Sequence, residues 1–554
     1  MTVSPPHDPA SSSDDAGPSA TSYDAVPYSV GAFPQTRPDR LATLATLFGM
    51  TPAPPSRCRV LELGCAAGGN VIPMALADPD SRFVGIDLSA RQVADAKATA
   101  DKLDVTNLDL RAMSIADIGD DFGTFDHVLC HGVYSWVPPD VQDKILDVCS
   151  RRLAPQGVAY ISYNCYPGWH ARGAIREMLW YHTEQFKDPA VRVRAARGLL
   201  AFLARFAPDD GGYGKLVHQE LALLLVTPDT YLLHEHLEEF NEPLYFHQFM
   251  GRAGAKGLQY LGEAHIGAMV AGKFGPEGEQ ILRQISPDLL HMEQYMDFLR
   301  NRMFRQTLLC HAGVKLDYAL RGEAVEQFQI SAKVKPMPPA HAPEAGPGAE
   351  AGGEESFGAP DKATLTTSDP LMKAAMHCLA EVDPLPLGFD ALLAAACGRI
   401  GRGGTAATAE QRRQLATRLL NCYLSGLVEL SISPPRFVTT VGERPVASHY
   451  ARLRAAEGGK VVNLRLETVP LSAPSRLVLQ HLDGRHDRAA LVDLVAGWLK
   501  TTEASTPPAD PLSIPATPGA ESKGSDPKDP PEFRAAAYVD ALLQAFARGA
   551  LLVG

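Results

Sequence analysis

Residues 60–70 decide the fold, and they read Val-Leu-Glu-Leu-Gly-Cys-Ala-Ala-Gly-Gly-Asn. An apolar strand runs through the acid Glu62, a glycine-rich turn follows, and a helix then begins. Glycine is needed at Gly64 and Gly68 because the backbone must turn sharply and approach a ligand with no Cβ in the way. The helix start supplies unpaired N–H groups. An ordinary tight turn would also explain these glycines, so further signals are needed.

Three signals around this turn indicate a ligand crevice. The next strand ends in Asp87, about twenty residues on, where an acid can hold both ribose hydroxyls of an adenosine cofactor. The turn does not match the G-x-G-x-x-G of nicotinamide enzymes, and acidic Glu62 precedes its first glycine. A third strand runs into residues 113–115, and a fourth leads to His131. Four strand ends therefore face one crevice, where ligands of such sheets bind.

Apolar runs alternate with helical stretches from Arg57 to about residue 164. Strands joined by helices predict right-handed crossovers and a doubly wound, Rossmann-like α/β sheet. Residues 171–244 are helical and amphipathic, and the β-type runs GLQYLGEAHI and FRQTLLCHA come after them. These two runs are expected to form an antiparallel hairpin at the edge of the same sheet. We therefore assign residues 23–170 and 245–320 to one discontinuous domain with a helical insertion.

The remaining chain divides by composition. Residues 1–22, 336–368 and 502–532 are rich in Pro, Ser, Gly, Ala and charged residues, with little to bury. They are predicted to be disordered, and the second and third of them to be linkers. Residues 369–500 and 533–554 contain short helices and small β segments, and one helix runs into an apolar strand as in a winged helix. We predict a C-terminal α+β domain of winged-helix-like modules, tethered by the 336–368 linker.

Composition and charge exclude several classes of protein. The 554 residues are 45% hydrophobic and 21% charged, which is typical of a soluble protein with several domains. No apolar stretch approaches the roughly 18 to 20 residues of a transmembrane helix, and no secretory signal is recognisable. The net charge is −12 and the C-terminal half has no basic stripe, so nucleic-acid binding is not expected. Nine cysteines, none in a C-x-x-C pair, suit a reducing cytoplasm.

The run His234-Glu235-His236 suggests a metal site at first sight. However, residues two apart on a helix point to different faces, so the two histidines cannot easily share an ion. The spacing also differs from H-E-x-x-H. We expect helix surface and subdomain contacts here, and we predict no metal site.

The motif E-x-G-x-A-x-G at residues 62–68, together with Asp87, resembles class I S-adenosylmethionine-dependent methyltransferases. Ala66 replaces the usual middle glycine. A longer pattern, which includes ELGCAAGGN, AYISYNCYPGW and HEHLEEFNEPLYFHQF, resembles bacterial methyltransferases with a methyltransferase regulatory domain, among them the rickettsial outer-membrane-protein lysine methyltransferases. The resemblance covers residues 22–315 well and the C-terminal half loosely. It implies a seven-stranded methyltransferase sheet, with residues 171–244 as a helical insertion or regulatory domain, and S-adenosyl-L-methionine as cofactor.

Taken residue by residue, the resemblance also implies a cofactor site. The residues that would bind the cofactor are Glu62, Gly64, Cys65, Gly68, Asp87, Leu88, Met113, Ser114, Ile115 and His131. Among them, Glu62 would orient the turn or meet the amino group through water. Asp87 would take the ribose hydroxyls, and His131 would lie beneath the sulfonium end.

An aromatic acceptor pocket is expected after the fourth and fifth strands. An amine acceptor must be neutral to attack, and an apolar pocket lowers a lysine pKa by desolvation. Aromatic faces also favour a cationic methyl donor. The candidate catalytic residues are Tyr134, Trp136, Tyr163, Asn164, Tyr166 and Trp169. Tyr163 and Asn164 are expected to accept hydrogen bonds from the acceptor nitrogen, whereas Trp136 and Trp169 are equally well explained as core packing.

Methylation of lysine side chains in a protein substrate, by in-line displacement, is therefore the first hypothesis. A small-molecule methyltransferase remains open, as does a regulatory protein that binds the cofactor without turnover. The C-terminal modules are expected to dock the acceptor, although a role in a homodimer or as a cap explains them equally well. Residues 23–28 and the helical stretch over 36–50 are expected to lie over the cofactor as a lid.

Overall fold

A computed structural model describes residues 31–207, 211–337, 353–359, 363–402, 407–501 and 531–553. The predicted disordered stretch 1–22, the predicted lid residues 23–28 and nearly all of the predicted linker 502–532 lie outside these ranges. None of the helices within the described ranges is long and apolar enough to cross a membrane.

A seven-stranded sheet forms the N-terminal domain, in the order β3-β2-β1-β4-β5-β7-β6. Its strands are β1 (Arg59–Leu63), β2 (Arg82–Asp87), β3 (Leu108–Ala112), β4 (Phe125–Cys130), β5 (Leu153–Asn164), β6 (Leu258–Glu263) and β7 (Phe304–His311). The first five strands are parallel, and β7 is antiparallel to both β5 and β6. The predicted doubly wound sheet with an antiparallel edge is confirmed. The edge is not a tight hairpin, because residues 264–303 lie between its two strands.

Eleven helices within the described ranges belong to this domain. They are α1 (Pro38–Leu47), α2 (Val71–Ala77), α3 (Ala90–Lys102), α4 (Pro139–Arg152), α5 (Trp169–Thr183), α6 (Pro189–Phe206), α7 (Gly212–Val226), α8 (Asp229–His236), α9 (Phe246–Ala255), α10 (Gly275–Ile285) and α11 (Leu289–Arg300). Several starts follow the capping rules, since Ser89 accepts from Gln92 N and proline occupies the first position of α6. The predicted helical insertion is present as α5–α8, with its own apolar core.

The histidines of α8 are not on the helix surface as expected. His234 and His236 are 2% and 0% exposed. His236 Nε2 lies 2.5 Å from Glu220 Oε1 of α7, and Arg172 Nε lies 3.3 Å from the same oxygen. The two histidines therefore belong to the interior of the insertion, where carboxyl side chains satisfy ring nitrogens that water cannot reach.

Side chains alternate between the two faces of the sheet, and this alternation positions the site. One face carries Val60, Leu129 and Tyr160 and is covered by α1, α2 and α3; we call it the crevice face. The opposite face carries Val128 and Tyr163 and is covered by α4 and α9. Glu62, two residues after Val60, also lies on the crevice face.

The stretch predicted to be a disordered linker contains strands. After β7 the chain forms β8 (Gln329–Ser331), β9 (Lys335–Met337), β10 (Glu355–Gly358) and β11 (Thr364–Thr367). The last three make an antiparallel sheet in the order β11-β10-β9. Fully buried Phe357 anchors it edge-on against His377, at 5.2 Å between ring centroids. The linker prediction is therefore wrong for the described parts of 336–368, because one buried aromatic and a threonine-rich strand outweigh the average composition.

Two further units follow. The first contains α12 (Pro370–Val382), β12 (Leu387–Gly388), α13 (Phe389–Cys397), α14 (Ala409–Ser425) and β13 (Glu429–Ser431), with a sheet in the order β12-β8-β13. The second contains α15 (His449–Ala456), β14 (Val461–Val462), β15 (Thr468–Val469), α16 (Ala473–Gln480), α17 (Arg488–Thr501) and α18 (Pro531–Arg548). The predicted α+β modules are present. However, β8 from before the predicted linker is the middle strand of the first unit.

Both units contact the N-terminal domain directly, in contrast to the expected flexible tether. Ser433 N donates to Asp39 Oδ1 of α1 at 2.9 Å, and Arg436 lies 3.0 Å from Asp78. Lys102 of α3 pairs with Glu457 at 2.8 Å. One continuous apolar core extends from the crevice face into the α12–α14 unit.

Candidate cofactor and acceptor site

The glycine-rich turn after β1 has the tight geometry that the sequence predicted. Gly64 and Gly68 both have φ of +76°, a left-handed conformation that favours glycine. A Cβ on Gly64 would lie 2.5 Å from Val133 Cγ2, so this position also has no room for a side chain. Ala66 adopts φ of +46°, which costs an L-residue roughly 1–2 kcal/mol. The turn thus keeps a glycine-like shape although alanine replaces the middle glycine.

Asp87 is held rigidly at the end of β2. Its Oδ2 accepts from Ala66 N at 2.8 Å, and its Oδ1 accepts from Ser89 N at 2.9 Å. A carboxylate offers about four acceptor positions on its two oxygens, which suits a pair of ribose hydroxyls. The next side chain, Leu88, is 55% exposed and offers an apolar surface beside the carboxylate.

The predicted adenine-side residues lie past the end of β3, the neighbouring strand. Met113, Ser114 and Ile115 are all partly buried. Ser114 Oγ accepts from Ala116 N at 3.1 Å, which fixes the short turn at this position. The Met113 N–H donates to Asp87 O at 2.9 Å, so the segment is tied to the strand that carries the carboxylate.

Glu62 is a buried carboxyl group with one oxygen unsatisfied. The residue is 3% exposed, and its Oε1 accepts from Asn70 Nδ2 at 2.7 Å. Its Oε2 is buried and has no hydrogen-bond partner in the part of the chain that the structure describes. Burial raises the pKa of Glu62 to about 7. An orphaned carboxylate oxygen at the crevice indicates a ligand donor or cation at this point.

His131 lies at the other end of the crevice, just after β4. Its Nδ1 is 2.8 Å from Tyr160 Oη, and its ring lies 3.7 Å from the ring of Phe33. Burial lowers the pKa of His131 to about 4. The imidazole is therefore neutral at pH 7 and places no positive charge beside a cationic ligand.

Cys65 contributes only its main chain to the turn. Its side chain is 4% exposed and directed at Gly85, where an added Cβ would lie 3.0 Å from the sulfur. Burial raises the pKa of the thiol well above its usual value. The expected contact of Cys65 with the cofactor is thus limited to backbone atoms.

The acceptor side of the crevice lies where β4 and β5 end. Asn164 is 4% exposed, its N–H donates to Ser135 Oγ at 2.9 Å, and its Nδ2 is buried without a partner among the described residues. Trp136 and Trp169 meet edge to face at 6.3 Å, and Trp136 is the more exposed of the two. Tyr166 is partly exposed, three residues before Trp169, and its ring stacks on His170. These four predicted residues are brought together at one end of the sheet.

Tyr134 and Tyr163 are not brought to the crevice, and this corrects their predicted role. Both are buried on the opposite face, where Tyr163 stacks on Phe249 at 4.1 Å and Tyr134 meets the same ring at 5.3 Å. Tyr163 Oη lies 3.3 Å from Thr307 Oγ1. The cause is strand alternation, because Asn164 faces the crevice and its neighbour Tyr163 must face away.

Sequence reasoning missed a segment that closes the acceptor side. Leu244 N donates to Asn164 O and Tyr166 N donates to Leu244 O, both at 3.1 Å. Glu242 N donates to Ser135 O at 2.8 Å. Tyr245 then lies 5.3 Å from the Tyr166 ring. The sequence signal for this segment is the motif EFNEPLYFHQF, which by itself indicated only the family resemblance.

Phe33, Asn70 and Tyr160 were also missed. Tyr160 is in phase with Asn164 along β5, so counting back by two from Asn164 would have found it. Asn70 and Phe33 carried no local signal, since their roles depend on side chains far away in the sequence.

Comparisons with known proteins agree with this architecture. A methyltransferase domain family matches residues 61–159, a predicted methyltransferase regulatory domain matches 228–311, and the PKMT C-terminal winged helix domain matches 443–551. The uncharacterized protein RP789 of Rickettsia prowazekii is 34% identical over 490 residues, which cover 87% of this chain and 86% of that protein. The uncharacterized protein RP028 of the same organism is 39% identical over 241 residues, which are 43% of this chain and 96% of that protein.

Two solved structures of PKMT2 from Rickettsia typhi extend the likeness to the whole fold. One has a TM-score of 0.81 and 29% identity, and the other, in complex with AdoHcy, has a TM-score of 0.79 and 30% identity. Each covers 95% of this chain and 100% of the chain in that structure. This chain belongs to the same family of class I S-adenosylmethionine-dependent methyltransferases. Its cofactor is S-adenosyl-L-methionine.

Two boundaries differ from the sequence prediction for this methyltransferase. The regulatory-domain match over 228–311 includes β6 and β7, so it is not confined to the predicted insertion over 171–244. The winged-helix match falls on the α15–α18 unit rather than on the stretch that begins at residue 369.

The residues present fit the cofactor. The Glu62 Oε2 atom is a buried acceptor without a partner among the described residues, which the amino group of the cofactor can supply. Asp87 offers two fixed oxygens, and His131 is neutral. All three lie at the carboxyl ends of adjacent parallel strands, where ligands of such sheets bind.

Proposed function

We propose that this methyltransferase transfers methyl groups to the Nζ atom of lysine side chains in a protein. The observation that carries the proposal is the end of the sheet where β4 and β5 stop, which carries the unpartnered amide of Asn164 together with Trp136, Tyr166 and Trp169. The match to the PKMT winged helix domain and the likeness to PKMT2 support it further.

S-Adenosyl-L-methionine would supply a methyl group on a sulfonium, and the acceptor nitrogen would bond to the methyl carbon in line as the carbon–sulfur bond breaks and S-adenosylhomocysteine leaves. The chain has to hold this acceptor neutral and aligned. A pocket with aromatic walls keeps water away from a lysine side chain, so it disfavours the ammonium form and lowers the lysine pKa. The neutral amine then has a lone pair that can attack the methyl group. Asn164 would fix the nitrogen by a hydrogen bond, and the neutral His131 would place no positive charge beside the cationic donor.

For the cofactor itself, we propose that Asp87 binds the ribose hydroxyls and that Glu62 meets the amino group. Gly64, Gly68 and the main chain of Cys65 would line the methionine and ribose portion. The adenine would lie between Leu88 and residues 113–115, whose apolar side chains are partly open to solvent.

The decisive experiment uses the full chain with a cofactor that carries an isotope-labelled methyl group. It is incubated with a lysate of the source cells, and labelled peptides are mapped by mass spectrometry. Label on lysine Nζ atoms is expected. Label only in small metabolites or on another residue type would contradict a lysine acceptor, and no label despite cofactor binding would indicate a regulatory protein without turnover.

Two variants make the experiment specific. Asp87→Ala should weaken cofactor binding by about 1–3 kcal/mol, because the hydroxyls lose their acceptors, and the label should fall with it. Asn164→Leu keeps the volume but removes the amide, so it should lower the labelling rate while the cofactor affinity stays within about twofold. Equal losses of affinity in both variants would argue against separate cofactor and acceptor sides.

A further inference from the structure

Asn70 has an unusual position for an asparagine at the start of a helix. It is the N-cap residue of α2, where asparagine ordinarily accepts a hydrogen bond from the first turn, yet its side chain makes no such bond. The residue is 3% exposed and directs its amide back into the domain. A side-chain capping bond stabilises a helix by about 1 kcal/mol, and the Asn70 amide makes other contacts in its place.

The amide joins three groups that no other described side chain brings together. Asn70 Nδ2 donates to Glu62 Oε1 at 2.7 Å and to Thr36 Oγ1 at 3.0 Å. Asn70 Oδ1 accepts from Phe33 N at 2.9 Å. Thr36 is fully buried and its hydroxyl donates to Phe33 O at 2.8 Å. Residues 33–36, which we call the entry segment, are therefore bound to the floor of the crevice through Asn70, in addition to the side-chain hydrogen bond between Gln35 and Tyr160.

The entry segment in turn covers the reactive end of the crevice. The Phe33 ring lies 3.7 Å from His131, and His131 is fixed by Tyr160 at 2.8 Å. The chain of contacts thus runs from Glu62 through Asn70 and Phe33 to His131. In the site proposed above, Glu62 meets the amino group of the cofactor and His131 lies at its sulfonium. The chain of contacts therefore joins the positions of the two cationic groups.

We propose that Asn70 is a positioning residue that couples occupancy of the crevice at Glu62 to the placement of Phe33 over His131. The amino group of the cofactor, a cation, would keep the Glu62 carboxyl group ionised when it binds at Oε2. An ionised carboxylate accepts the hydrogen bond from Asn70 more strongly than a neutral carboxyl group does. The Asn70 amide is then held in one orientation, with its Oδ1 toward Phe33 N. The entry segment becomes ordered when the crevice is filled, and Phe33 excludes water beside the methyl group. The proposal rests on the cofactor crevice and does not depend on the class of acceptor.

The test compares Asn70→Leu with Asn107→Leu in the full chain. Asn107 is a matched control, because its amide also joins separate parts of the chain, with Nδ2 near the carbonyls of Ala75, Asp78 and Ser81, but it lies away from the crevice. Three readouts use S-adenosylhomocysteine as the probe: its Kd by calorimetry, the pH dependence of that Kd, and the hydrogen exchange of the entry-segment amides with and without it.

In the wild-type chain the probe should slow exchange at Phe33 and Thr36. In Asn70→Leu it should still bind, roughly 5- to 50-fold more weakly, and should no longer slow that exchange. The pH below which binding weakens should also rise, because the Asn70 donor opposes the effect of burial on the pKa of Glu62. Asn107→Leu should lower Tm and leave all three readouts unchanged.

If Asn70→Leu does not fold, Thr36→Val provides the second test, since it removes one partner of the amide and leaves the glycine-rich turn intact. It should reduce the protection of Phe33 while Kd changes less than threefold, on the order of one neutral hydrogen bond at most. The proposal is overturned if the probe leaves the wild-type entry segment unprotected. It is also overturned if Asn70→Leu keeps the protection, or if Asn107→Leu loses it to the same extent.

Discussion

His127 is a fully buried histidine in the middle of β4, and neither of its ring nitrogens has a hydrogen-bond partner in the described ranges. Burial lowers its pKa to about 4, against about 6.5 in an unfolded chain. The unfolded state therefore binds more protons between these two pH values, and the stability that the neutral ring allows at pH 7 is lost as the pH falls from about 6.5 toward 4.

Replacing this ring by leucine should stabilise the fold and flatten its acid response. We expect His127→Leu to raise Tm at pH 7 by a few degrees, corresponding to about 1–2 kcal/mol from removing an unsatisfied polar group. The drop in Tm between pH 7 and pH 5 should shrink but not vanish, because the pKa of His131 is lowered to a similar value. Scanning fluorimetry at both pH values, with exposed His449→Leu as control, measures this. An unchanged or steeper acid response would show that His127 has a partner in solution.

Residues at strand ends were the part of the site that the sequence could predict. Ligands of a parallel sheet bind at the carboxyl ends of its strands. Glu62, Asp87 and His131 were predicted at such ends, and each lies in or directly after the predicted strand. Tyr163 was misassigned because an aromatic near the end of a strand gives no phase by itself. The phase is set by Asn164, whose N–H is bound to Ser135 on another loop. That bond depends on the tertiary fold and has no local signature.

At the scale of elements, β6, β7 and α11 are joined by a buried ion cluster. Arg305 of β7 is fully buried and lies 2.7 Å from Glu263, 3.0 Å from Glu293 and 2.8 Å from Asp297. Burial acts to raise the pKa of Glu263, but Arg302 and Arg305 outweigh it and the pKa is lowered. Burial raises the pKa of Glu293 to about 7. The cluster holds the antiparallel edge of the sheet to the helix that covers it.

Arg305→Met should therefore be far more damaging than its size suggests. Removing the arginine leaves buried carboxylates without a counter-charge, which costs about 3–5 kcal/mol. Glu293→Gln is the matched variant, and it should shift Tm by no more than about 2 °C because this carboxyl is already half protonated near pH 7. Soluble yield and thermal unfolding measure both. A mild Arg305→Met variant would mean that water reaches the cluster and pairs with the carboxylates.

Helices and strands could be predicted where apolar residues recur with a regular period. They could not be predicted where a single buried residue stabilises the element. The helices of the insertion followed from their apolar spacing, and their buried positions repeat every three to four residues. The strand β10 was missed because Phe357 is the single large apolar residue in a polar stretch. The average composition of the stretch does not reveal this one residue, although burial of its side chain stabilises the sheet around it.

At the scale of the whole molecule, the two halves share one core. Residues 338–352 lie outside the described ranges and read PPAHAPEAGPGAEAG, a composition that favours proteolytic nicking. A cut there should not separate the halves, since β8 pairs with both β12 and β13 and the apolar core is continuous. This differs from the behaviour of the tethered C-terminal domain that the sequence predicted.

Limited proteolysis followed by size-exclusion chromatography tests the shared core. The nicked fragments should elute together, keep affinity for S-adenosylhomocysteine, and separate only in denaturant. Fragments that elute separately under native conditions would contradict a common core. A chain truncated at residue 335 is a poorer test, because it would expose Ile330 and Val334 that the second half buries.

The position of β8 has a consequence for how the chain is made. This strand is synthesised with the N-terminal half, yet its partner β13 begins at Glu429, almost a hundred residues later. At about 5–20 residues per second, a ribosome needs roughly 5–20 s to deliver that partner. Both edges of this middle strand are open until β12 is made, and the edge that pairs with β13 stays open for the whole interval. A nascent chain of this methyltransferase thus has a defined window in which a chaperone, or a neighbouring nascent copy, can bind the strand before its own partner arrives.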